Sequence, residues 1–95
     1  MEKKDSNLSL REQDWIAFSN IVLAHIRDYT LPQYGDRGND LATDFTSADC
    51  ALAISKYSKR HGKNSRPGQD GLDFLKIAHY AQMGSMLLGA ENAKK

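Results

Sequence analysis

The chain has 95 residues and a mass of 10.6 kDa, 40% of it hydrophobic and 26% charged, with a formal net charge of +1 at pH 7. That is enough for one small globular domain and too balanced for a disordered tail or a strongly basic polymer binder. No apolar stretch approaches the roughly 20 residues of a membrane span, and the polar opening Met1-Glu2-Lys3-Lys4 lacks the apolar run of a signal peptide. The lone Cys50 excludes an intrachain disulfide and fits a reducing cytoplasm.

Residues 1–7 are polar, so 1–8 read as a frayed N-terminus and 90–95 as a frayed C-terminus, leaving 9–89 as a single domain. Ser9-Leu10-Arg11-Glu12 is a capping-box signature. Behind it Trp15, Phe18, Val22, Ile26 and Tyr29 recur at three- and four-residue spacing, so a helix is predicted near 9–29, stopped by Pro32. Residues 30–46 hold Pro32, Gly35, Gly38 and Asn39 and read as a loop pinned by Leu41 and Phe45. Asp36, Asp40 and Asp44 repeat every four residues, a spacing that fits either turn formers or a hard-cation site.

A second helix is predicted near 47–61. Asp49 complements its positive start, Lys56, Lys59, Arg60 and His61 its negative end, and Gly62 its left-handed cap. A third, near 70–88, is capped by Asp70 and closed by Gly89. Its apolar residues occupy more than one face, so it needs more than one neighbour. The fold class is therefore all-α: three helices in an up-down arrangement with a helical hairpin. Self-association would cover the third helix, with Gly84 and Ser85 allowing close approach.

Charge is segregated. Residues 28–49 carry Asp28, Asp36, Asp40, Asp44 and Asp49 against Arg37, while residues 56–66 carry Lys56, Lys59, Arg60, Lys63 and Arg66 with no acid. Such a basic helix end can hold a phosphate-bearing ligand. The same cations also stabilise a helix C-terminus with no ligand, and Asp73 can pair with Arg60 or Lys56 across the hairpin. A nucleic-acid partner is disfavoured, because the acidic segment would repel a phosphate backbone.

Other chemistries drop out. A phosphate loop ending at Gly62-Lys63-Asn64-Ser65 would need glycine where Tyr57 stands. His25, His61 and His79 lack zinc spacing, and with apolar flanks His79 reads as structural. Cys50 has no base partner in the pattern and reads as a small core residue.

Lys56, Tyr57, Arg60, Gly62, Lys63, Asp73, Lys76 and Tyr80 follow a pattern: Lys-Tyr, two residues, Arg, one residue, Gly-Lys, then Asp, two residues, Lys, three residues, Tyr. This resembles a small helical domain family of bacteriophages without assigned function, one member of which is the nucleotide kinase of some podoviruses. The similarity spans about a third of the chain, and Asn64 stands where members often carry a second basic residue. The first helix and Tyr34-Gly35-Asp36 look more like phage relatives of the all-α nucleoside triphosphate pyrophosphohydrolases. In those enzymes paired acidic motifs hold magnesium, and Asp70-x-x-Asp73 is the nearest equivalent here.

Both resemblances imply nucleotide handling. Together with the basic cluster they lead to the expectation that Lys56, Arg60, Lys63 and Arg66 hold phosphate and Tyr57 or Tyr80 stacks on a base, while Lys76 and Tyr80, four residues apart, share one helix face. Asp73, with Asp70, would orient the cations or hold Mg²⁺. The expectation is a cytoplasmic phage protein binding a nucleotide or other phosphate ligand, with or without turnover. Its alternative is a non-catalytic module that docks on a host protein.

Overall fold

The computed structural model describes residues 7–36 and 45–93. Three helices make up the fold of the described residues, and no strand occurs among them. The expected roles of Leu41, Asp40 and Asp44 lie outside those residues.

Helix α1 is Leu10–His25. Its capping box is complete: the Ser9 N–H donates to Glu12 Oε1 at 2.8 Å, and the Glu12 N–H donates to Ser9 Oγ at 3.1 Å. The Ser9 N–H, and after it the Ser9 side chain, hold the Glu12 carboxyl below its ordinary range. The helix does not stop at Tyr29. It widens into a π-helical turn, Ile26–Thr30, closed by the Leu31 N–H on the Ile26 carbonyl, and then continues through Leu31–Tyr34. Pro32 therefore lies inside the helix rather than ending it. A proline lacks the N–H for its i−4 bond and crowds the carbonyl four residues back. The widened turn is how the backbone passes it. Gly35 ends the run at φ 79°.

Helix α2 is Ser47–Lys59, with a second capping box in which Thr46 and Asp49 exchange bonds of 2.9 and 3.2 Å. It ends two residues earlier than the composition predicts, and Gly62 takes the expected left-handed conformation at φ 81°. Helix α3 is Gln69–Ala93 and begins before Asp70, which is not its cap. It also runs through Gly89, which stays helical. The added turn is fastened by Glu91, whose carboxylate accepts from the Ser47 N–H at 2.8 Å and the Ser47 hydroxyl at 2.7 Å.

Helices α2 and α3 form an antiparallel hairpin. Ser47 meets Glu91 at one end, and Arg60 meets Asp73 at the other. Between them, a Cβ added at Gly84 would lie 3.1 Å from Cys50 Cβ. Gly84 thus serves close packing within the chain, not the contact between copies that its spacing suggests. Cys50 is the one fully buried apolar residue among those described, and burial pushes its thiol pKa up. Helix α1 leans on α3, with Phe18 and Ile21 near Leu72 and Leu75, and His25 and Tyr29 further along near Lys76. No helix of the described residues is long and apolar enough to cross a membrane.

Candidate functional site

The three helices border an open cavity of about 310 Å³. Helix α1 and its continuation supply His25, Tyr29, Thr30 and Tyr34. In an ordinary α-helix nine residues turn through ~900°, which would set Tyr34 ~180° away from His25. The π-helical turn takes up one extra residue and rotates the succeeding residues back by ~100°, so Tyr34 returns to the cavity side. The irregularity at Pro32 is therefore part of how the site is built.

Phe45 lines the cavity just before α2, and Tyr57 from the last turns of α2. Helix α3 adds Lys76, His79, Tyr80 and Met83, the i, i+3, i+4, i+7 series of a single helix face. All four tyrosines of the chain, from three separate segments, thus surround one cavity. Tyr57 and Tyr80 are stacked at 6.1 Å between ring centres, and His25 stacks on Tyr29 at 5.0 Å.

Among the described residues of the lining, Lys76 carries the one formal charge, and none of them is a carboxylate. The Lys76 ammonium lies 5.7 Å from the centre of the Tyr29 ring and 5.4 Å from that of Tyr57. Both distances are in cation–π range. His25 is buried, and its pKa is lowered first by desolvation and then by Lys76, so its imidazole is neutral at pH 7.

At the basic helix end the pairing of Asp73 with Arg60 is formed. Arg60 is bound to Asp73 by two parallel bonds, Nε to Oδ2 at 2.8 Å and a second nitrogen to Oδ1 at 2.6 Å. Its guanidinium also lies 4.9 Å from the Tyr57 ring centre. Asp73 accepts further bonds from Gln69 at 2.9 Å and Asn64 at 3.2 Å. With Arg60 the leading cause, its carboxyl is held far below the usual carboxylate range. Asp70 takes Asn64 Nδ2 at 2.6 Å and the Gly62 N–H at 3.3 Å, which lowers its pKa as well. Both carboxylates thus face donors of their own hairpin, and no cluster of three or more metal-ligating side chains occurs among the described residues.

Of the sequence-predicted residues, the structure brings Tyr57, Lys76 and Tyr80 together in the cavity. Lys56 stands over the Tyr57 ring at 5.4 Å from its centre. Arg60 and Asp73 lie behind Tyr57, and exposed Lys63 and Arg66 are not in the lining. Sequence reasoning missed His25, Tyr29, Thr30, Tyr34, Phe45, His79 and Met83. For His79 and Met83 the helical spacing from Lys76 was a usable signal.

No protein-family model, curated protein or solved structure matches the chain.

Proposed function

We propose that this protein binds a planar, phosphate-bearing ligand of the nucleotide class in the four-tyrosine cavity. The observation that carries this reading is the convergence of every tyrosine of the chain around Lys76, the one formal charge among the described lining residues. Tyrosine rings offer flat apolar faces to a base, and their hydroxyls can bond its edge. The Lys76 ammonium is the group suited to a phosphate oxygen. A cavity of about 310 Å³ is at the lower end of ligand sites, the size for one mononucleotide rather than a polymer.

In this reading the Arg60–Asp73 pair is a support for Tyr57 and not a ligand clamp. Lys63 and Arg66 have no assigned part, and neither Mg²⁺ nor turnover is required. The resemblance to the phage family points the same way, through Lys56, Tyr57, Lys76 and Tyr80, to a cytoplasmic protein of an infected bacterium.

A second reading, an up-down helical module that works by docking on protein, is favoured by one observation. The apolar side chains of Trp15, Ile21 and Leu23 on α1 are exposed. The two readings use different surfaces and are compatible.

Thermal-shift measurement against nucleoside mono-, di- and triphosphates, with and without magnesium, tests the ligand reading. Stabilisation by at least one of them is expected, and no shift with any of them contradicts it.

A further inference from the structure

Near pH 7 a phosphate monoester carries close to two negative charges. Against them the described lining of the tyrosine cavity sets one formal positive charge, that of Lys76. An unmatched charge in a partly desolvated site is costly, so a second positive group there would favour the anion. His25 is placed to become that group. It is only 9% exposed, and it lines the cavity together with Lys76. Both approach one ring: the imidazole stacks on Tyr29 at 5.0 Å between ring centres, and the Lys76 ammonium lies 5.7 Å from the centre of the same ring.

The fold by itself keeps the imidazole neutral. Burial opposes its charge first, and the Lys76 ammonium adds to the effect. The other titratable groups of the described lining are Tyr29 and Tyr34 on its own helical run, Tyr57 on α2, and His79 and Tyr80 on α3. None of these is a carboxylate that would charge His25 from within the protein. Lys56 is exposed and outside the lining. An anion held in a cavity of about 310 Å³ lies close to both His25 and Lys76. Its charge acts on the imidazole with the sign opposite to that of Lys76, so it favours the imidazolium and offsets the repulsion between the two cations.

We propose that His25 is the second phosphate-binding group of the tyrosine cavity, taking up a proton as a phosphate monoester enters beside Lys76, so that ligand binding strengthens as pH falls. This coupling rests on the nucleotide reading above and adds to it the charge of the ligand and a proton that binds with it. By reciprocity, the factor by which the anion favours the imidazolium is the factor by which the imidazolium favours the anion.

Histidine titrations followed by NMR on the intact chain, alone and with each of the common nucleoside 5′-monophosphates at millimolar concentration, test the coupling. The His25 pKa is expected to rise by about one unit with a nucleotide that binds, which is a tenfold coupling. Affinity for a nucleoside 5′-sulfate, whose own charge does not change in this range, should accordingly rise several-fold from about pH 8 to about pH 5. The gain is present below the His25 pKa of the complex and is lost as pH rises through it. His25→Gln cannot take up the proton and is expected to remove that pH dependence. If this variant fails to fold, the titration of the parent chain decides alone. A nucleotide that binds while the His25 pKa stays or falls overturns the coupling and leaves the nucleotide reading intact. So does a rise at His79 with none at His25. Binding of no nucleotide at all removes both.

Discussion

The ammonium of Lys76 lies 5.4 Å from the centre of the Tyr57 ring, on a different helix, and the same ring takes the Arg60 guanidinium at 4.9 Å and the Lys56 ammonium at 5.4 Å. Tyr57 therefore joins two features that the sequence places far apart, the basic helix end and the cavity. Arg60 is in turn fixed by Asp73, so the carboxylate at the start of α3 positions the ring that forms the cavity wall.

Replacing Lys76 by methionine keeps an unbranched stem and removes the charge. Nucleotide affinity is expected to fall about 10-fold, the equivalent of one charge-assisted hydrogen bond. The His25 pKa should rise at the same time, because Lys76 is one of the two causes that lower it. Burial, the larger cause, remains, so the rise is partial. An NMR titration of His25 without any ligand reads this second effect, and an unchanged value would place Lys76 elsewhere.

Acid should destabilise the fold in two stages. His25 titrates below its ordinary value of 6.5 in the folded chain, so the unfolded chain binds more protons and stability declines as pH falls through about 6.5. Asp73 is depressed from its ordinary 3.8. Its contribution is complete above about pH 4 and is lost as pH falls further toward the folded value. Urea midpoints from about pH 8 to about pH 2.5 measure both limbs, and Asp73→Asn should reduce the lower one, where Asp70 and Glu12 also titrate below their ordinary range, and leave the upper one unchanged.

At Gly84 the obstacle is Cys50 Cβ, an atom next to the backbone that cannot rotate away. A leucine there must push α2 from α3 and is expected to cost about 2–3 kcal/mol, the upper range for overpacking. Chemical denaturation gives the number. Parent-like stability would mean that the hairpin is looser than the 3.1 Å approach implies.

Pro32→Ala restores an N–H and removes the ring that opposes an ordinary α-helical turn. The variant is expected to melt higher yet bind nucleotide several-fold more weakly, because a regular helix turns Tyr34 away from His25. If stability rises and affinity holds, the cavity itself rather than the proline maintains the wide turn.

The features legible in the residues beforehand were local. Ser9 with Glu12, Asp49 at the start of α2 and the left-handed Gly62 each depend on neighbours within a turn, and each is found as expected. The pairing of Asp73 with Arg60 was one of the readings of the same spacing, and the ion pair is present in the fold. Pro32 and Gly89 misled for the opposite reason. Their local preference to end a helix is overridden by a π-helical turn in one case and by the Glu91–Ser47 bonds in the other. The cavity was legible only on α3, where spacing by three and four sets Lys76 beside Tyr80. Tyr34 reaches it through the rotation of a widened turn, and Phe45 from just before α2, neither of which a periodicity encodes.

The most direct test tracks backbone and side-chain NMR shifts while a nucleoside monophosphate is added. Changes concentrated on His25, Tyr29, Lys76, His79 and Tyr80, and displaced to about 10-fold higher ligand by Lys76→Met, are the predicted result. Shifts confined to residues 60–66, or none at millimolar ligand, would contradict the assignment of the tyrosine cavity as the binding site.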